Sequence, residues 1–186
     1  MTMNRRDALK SVMVMMGGTM VGATAILTGC APEHQIEGLN FSPEDIAFLD
    51  EIGDTIIPET NTPGAKATGI GAFMVMMVKD TYDADNQKIF VDGLNMLRKD
   101  FKTAKGSDFV EATAEDRLAY LNGMYEQFKS SEGEEAKVIN MLKDLTVLGY
   151  FSSEIGATQA LNYVEVPGKY EACIPYNKGD KAYAIG

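Results

Sequence analysis

The sequence predicts an all-α domain, a compact bundle of about five or six helices followed by an irregular C-terminal arm. Three observations carry this expectation. Apolar residues recur every three or four positions through five separate stretches between Ile46 and Leu148, the spacing that lines one face of a helix. Ser42-Pro43-Glu44-Asp45 and Thr113-Ala114-Glu115-Asp116 open two of these stretches with a hydroxyl that can cap and acids that favour the positive end of a helix. No series of alternating apolar and polar residues marks a set of strands.

The chain opens with MTMNRRDALK. Arg5 and Arg6, with Leu9 and Lys10 after them, resemble a twin-arginine export signal; Asn4 and Ala8 replace the usual hydroxyl residue and phenylalanine. Ser11 to Leu27 is apolar but diluted by Gly17, Gly18, Thr19, Gly22 and Thr24. A membrane-crossing helix wants roughly 20 strongly apolar residues, and each glycine costs about 1 kcal/mol of helix propensity against alanine. Residues 1–29 therefore read as a processed signal rather than a permanent span. Leu27-Thr28-Gly29-Cys30 has the form of a lipobox: small residues let a peptidase approach the backbone, and the Cys30 thiol receives the diacylglyceryl group. The alternative is an ordinary signal peptide with a cysteine nearby. Stable anchoring takes at least two acyl chains, and a lipoprotein cysteine carries that many. The expectation is a cell-envelope or periplasmic lipoprotein with a lipidated tether, 30–41, and a single helical domain, 42–186. His34, the one histidine, falls in the tether and reads as solvated.

Removing Arg5, Arg6, Lys10 and Asp7 with the signal leaves 14 of 17 basic and 26 of 27 acidic residues, a net charge of −12. Phosphate binding rests on Lys and Arg, so so acidic a chain is not a nucleic-acid binder by its net field. Nor will it adhere electrostatically to anionic lipid headgroups; attachment is left to the acyl anchor. If Cys30 is lipidated, Cys173 has no partner among the two cysteines. It then reads as a buried small hydrophobe or an intermolecular contact, burial being the expectation.

Along the domain, Ser42 caps the first helix, Pro43 suits its first position, and Ile46, Leu49, Ile52 and Ile56 form its apolar face until Pro58 ends it. Glu59 to Lys66 is a loop with a Pro63-Gly64 turn. A second helix, about Ile70 to Thr81, is apolar nearly all round; such a helix is central or partly covered by another chain, and core is the expectation. The third, Asp85 to about Ala104, turns Ile89, Phe90, Leu94, Leu97 and Phe101 inward; the fourth, from Thr113, buries Leu118, Leu121, Tyr125 and Phe128; the fifth, Glu134 to about Phe151, buries Val138, Met141, Leu142, Leu145 and Leu148. A short sixth fits within Ser152 to Leu161. Beyond Val164 the chain is punctuated by Pro and Gly and carries Tyr170, Tyr176 and Tyr183 after Tyr163, an extended arm that packs on something.

Motifs for bond chemistry are missing. There is no C-x-x-C-H for haem, no G-x-G-x-x-G after a strand and no histidine pair for zinc. Asp83, Asp85 and Asn86 start like a calcium loop, but no glycine holds the sixth place and Leu94 stands where a bidentate glutamate belongs. No pair of carboxylates is singled out by spacing. No catalytic, cofactor-binding or metal-binding residue is therefore assigned.

Two stretches, Asp54 to Phe73 (DTIIPETNTPGAKATGIGAF) and Thr146 to Tyr176 (TVLGYFSSEIGATQALNYVEVPGKYEACIPY), resemble the gluconate 2-dehydrogenase subunit 3 family, small subunits of membrane-bound FAD-dependent sugar and sugar-acid dehydrogenases. The resemblance covers most of the mature chain in order and length. It implies a non-catalytic accessory subunit beside a large flavoprotein of the glucose-methanol-choline type, which holds the FAD, often with a cytochrome c subunit that takes the electrons. The small subunit carries the export signal for both; the lipobox departs from the family's frequent attachment through the cytochrome. The residues that would grip the partner lie in the two resembling stretches: Pro58, Thr62, Pro63 and Gly64 in the loop, and Tyr150, Tyr163, Pro167, Gly168 and Tyr170 toward the arm. Both segments could instead simply cover the domain's own core. Two other readings remain: a stand-alone envelope lipoprotein binding a small ligand or envelope partner, for which a deep closed pocket would speak, and an enzyme using acidic residues, for which carboxylates converging in a cleft would speak.

Overall fold

A computed structural model describes residues 39–166, 168 and 173–185. The signal with Arg5 and Arg6, the lipobox Cys30, the tether as far as Gly38, and Pro167 and Tyr170 lie outside the described residues. The fold is all-α. Helix α1 (Pro43–Ile56) starts at a complete capping box, in which the Asp45 amide donates to the Ser42 hydroxyl and the Ser42 amide to the Asp45 carboxylate. Its buried side chains include Phe48, Leu49 and Ile52.

A short 3-10 helix, Ala65–Thr68, begins in the last two residues of the segment read as loop and leads into α2 (Ile70–Thr81). No side chain caps α2 locally. Its first turn is satisfied instead by α1: the Gly71 amide donates to Asp50 Oδ1 at 2.7 Å, placing a carboxylate at the positive end of the helix. A Cβ on Gly71 would stand 2.4 Å from the Ile46 carbonyl oxygen, so only glycine permits this approach. As expected for core, Ile70, Met74, Val75 and Val78 of α2 are buried, while Met76 on the far side is half exposed.

Helix α3 (Ala84–Lys105) is capped by Asp83, whose carboxylate accepts from the Asn86 amide. It buries Phe90, Leu94, Leu97 and Phe101, much as its period predicts. Gln87 was not distinguished in the sequence; it is buried and its Nε2 donates to the carbonyls of Val78, Lys79 and Tyr82, satisfying the carbonyls that end α2. A one-turn 3-10 helix, Phe109–Glu111, inserts Phe109 edge-on against Phe48 and Phe101, with ring centroids 5.2 and 4.9 Å apart.

Helices α4 (Ala114–Phe128) and α5 (Glu134–Ser152) depart from their predicted faces. In α4, Leu118 is 48% and Tyr125 40% exposed, whereas Met124 is buried and Arg117, Tyr120 and Leu121 are half-buried. The helix is turned toward Arg117 because a buried carboxylate on α1, Glu51, draws the guanidinium inward. In α5, Val138, Leu142 and Leu145 are buried as expected, but Leu148 is half exposed and the inner face continues through Thr146, Gly149 and Tyr150. Gly149 has no side chain to hold Phe73 and Ile70 of α2 away, so the glycine, not the leucine, meets the neighbouring helix.

After α5 comes the expected short helical segment, ending in a π-type turn, Gly156–Ala160. The arm then forms two three-residue strands, β1 (Asn162–Val164) and β2 (Tyr183–Ile185), paired in parallel with Asn162 opposite Tyr183. Cys173 is exposed rather than buried: the arm around it lacks the apolar periodicity that would dock it on the bundle.

Candidate partner interface

The loop after α1 is built on a closed set of hydrogen bonds. The Ala65 amide returns to the Ile57 carbonyl at 2.8 Å, and the Thr60 amide donates to the Thr62 carbonyl at 3.0 Å. From the last turn of α5, the buried Tyr150 hydroxyl donates to the Pro63 carbonyl at 2.8 Å and lies 3.3 Å from the Thr62 hydroxyl. Gly64 is buried at the inner corner, where a Cβ would fall 2.5 Å from Asp54 Oδ1 and 2.7 Å from the Glu59 amide nitrogen. Of the predicted gripping residues, the structure thus brings Thr62, Pro63, Gly64 and Tyr150 together. Tyr150 and Gly64 shape the loop from inside and offer no surface to another chain; Pro58, with Glu59, Thr60 and Asn61, forms its exposed tip.

Under the loop sits an ion cluster that sequence reasoning missed. Glu51, 7% exposed, pairs with Lys66 of the 3-10 helix and with Arg117 of α4. Its hydrogen bond holds the Lys66 ammonium above its ordinary range, against the opposing effect of desolvation. The Arg117 Nε is buried without a hydrogen-bond partner, while the guanidinium carbon stands 5.9 Å from the centre of the Phe109 ring. The only sequence signal was an acid at a position three after Phe48, on the edge of the buried stripe of α1. Nothing local paired it with residue 117.

The arm continues from the same end of α5. The Tyr150 carbonyl accepts from the Ser153 hydroxyl at 2.7 Å, and the Gly156 amide donates to that hydroxyl at 3.0 Å. Among the described residues of the arm, the Asn162 amide donates to the Ala182 carbonyl at 2.8 Å, the Lys181 ammonium to the Gln159 carbonyl, and the Asn177 amide to Asp180 Oδ2 at 2.8 Å. Tyr163, Val166, Gly168, Ile174, Tyr176 and Tyr183 are all exposed. The last turn of α5 therefore braces the loop through Tyr150 and leads directly into the apolar arm.

A protein-family model described as gluconate 2-dehydrogenase subunit 3 matches residues 43–168. The chain belongs to this family. The matched span runs from the first residue of α1 through the loop, Tyr150 and β1 to Gly168; the arm from Cys173 to β2 lies beyond it. No curated protein and no solved structure matches the chain. Among the described residues, no helix is long and apolar enough to cross a membrane, and no group of three His, Cys, Asp or Glu side chains converges as metal ligands would.

Proposed function

We propose that this chain is the non-catalytic small subunit of an exported FAD-dependent sugar or sugar-acid dehydrogenase, and that it escorts and anchors the large flavoprotein. The observation that carries the reading is the family match over the whole helical bundle. The exposed tyrosines and aliphatic residues of the arm support it, because Tyr is enriched where an apolar body and a polar tip meet a partner. In this reading the FAD belongs to the large subunit, which acquires it while folding in the cytoplasm; a twin-arginine route accepts folded cargo, so a partner lacking its own signal travels bound to this chain. Arg5 and Arg6 direct export, Cys30 carries the lipid, and a cytochrome c subunit is the electron acceptor where one is present.

The test is purification of the tagged chain from native membranes followed by a flavin absorbance spectrum. A stoichiometric large subunit with bound flavin is expected. Arg5→Lys with Arg6→Lys should hold both chains in the cytoplasm, and Cys30→Ser should release an unlipidated complex from the membrane. Recovery of the tagged chain alone, without flavin, would reject the subunit reading.

A further inference from the structure

The rotation of α4 leaves an apolar cleft on the bundle surface. It lies between the C-terminal half of α1, α4 and α5, with a volume of about 240 Å³, and its walls include Ile52, Ile56, Leu118, Leu121, Tyr125 and Ile139. Small-molecule pockets span roughly 300–1,000 Å³ and bury most of their ligand; this cleft is smaller. It suits one or two inserted side chains, the way an interface anchor sits in a desolvated pocket. The exposed Leu118 and Tyr125 form one wall. At the mouth stands Lys143, its ammonium 5.6 Å from the centre of the Tyr125 ring. Among the described residues it makes no ion pair, although the chain carries 27 acids against 17 bases.

Two further features select the occupant. Ile139, Lys143, Val147 and Phe151 follow one another at four-residue steps along α5, the spacing that makes a ridge on a helix surface. The ridge leads from the cleft to the turn of α5 that carries Tyr150, and its last two apolar members are exposed. An unpaired cation at the rim of an apolar hole, continued by an apolar ridge, is complementary to an apolar side chain with a carboxylate beside it on an extended protein surface.

We propose that this cleft is a socket for an aliphatic or aromatic anchor side chain of the dehydrogenase's large subunit, with an acidic residue next to the anchor meeting Lys143. The proposal rests on the subunit reading above and adds a second contact to the loop and arm. The two are separable by experiment, using the full chain co-expressed with the large subunit. Leu118→Glu and Lys143→Glu, both at exposed positions, should each weaken association at least about tenfold, with helical circular dichroism unchanged. Lys137→Glu makes the same charge change elsewhere on α5 and should leave association as it is. Wild-type binding with both Leu118→Glu and Lys143→Glu overturns the socket while the subunit reading stands. Failure of the wild-type chain to bind a large subunit overturns both. Sedimentation of the isolated chain as a dimer that Leu118→Glu dissociates would assign the cleft to a second copy and overturn the proposal, as would a bound small amphiphile in native mass spectra of the wild-type chain that this variant loses.

Discussion

The loop after α1 and the C-terminal arm both meet the last turn of α5, the loop through Tyr150 and the arm through the chain itself, yet they are held in opposite ways. The loop is pinned by the Tyr150 hydroxyl, a buried Gly64 and the Ala65–Ile57 bond, over a buried Glu51 shared by two cations. Among the described residues, the arm is tied by two three-residue strands and a few surface bonds, with Tyr163, Tyr176 and Tyr183 exposed. Parallel strands are normally covered on both faces, and two strands alone are marginal in water. The contrast separates two environments that one composition could not separate: the loop has a shape fixed by the bundle, and the described part of the arm presents exposed apolar side chains.

The strongest way to break this contrast is to delete the arm from Pro167 onward. Association with the large subunit should fall by at least about tenfold, equivalent to 1.4 kcal/mol, while helical circular dichroism stays largely intact. Collapse of the helical signal would make the arm core, and persistent co-purification would move the interface elsewhere. Glu51→Ala attacks the other side. It leaves Arg117 buried without its carboxylate, a loss of about 3 kcal/mol or more, and chemical denaturation should show it as a lower midpoint at unchanged slope. Near-wild-type stability would mean that the cluster contributes little to the lock.

A smaller change sharpens the comparison. Tyr150→Phe removes only the hydroxyl that donates to Pro63 and should cost about 1 kcal/mol. Amide hydrogen exchange should accelerate at Ala65 and Thr60, whose bonds close the loop, and stay as it was in the arm. Equal acceleration in both segments would show that they open as one unit. The smallest expected effect is at the far end of α1. Desolvation raises the pKa of Asp45, but the Ser42 hydrogen bonds and Arg98 outweigh it and hold the carboxylate below its ordinary 3.8. With the folded pKa below the unfolded one, its contribution is present above pH 3.8 and is lost as the pH falls through the lower, folded value. Asp45→Asn should flatten that acid limb of the stability profile and leave the loop's exchange unchanged.

Much of the bundle was legible because its causes are local. The Ser42 and Thr113 caps, the core of α3 at Phe90, Leu94, Leu97 and Phe101, and the boundaries near Pro43, Thr81 and Glu134 follow from side chains and backbone within a few residues. The two segments proposed as an interface were also marked in the sequence, by Pro63-Gly64 and by tyrosines without period. What each residue does there was not. Tyr150 looked like contact surface, and is a buried strut; Cys173 looked like core, and is exposed.

The sequence by itself determined the helical class, the order of the helices, their capping and the family resemblance, since period, propensity and capping act over three or four residues. Only the tertiary structure decided which side of α4 and α5 faces inward. That choice depended on partners distant in the chain: Glu51 pulling Arg117 across 66 positions, Gly149 admitting Ile70 and Phe73, and Tyr150 reaching Pro63 across 87. A helix with a broad apolar stripe can rotate by one residue at little local cost, so packing against neighbours sets the rotation, and with it the cleft that Leu118 and Tyr125 line.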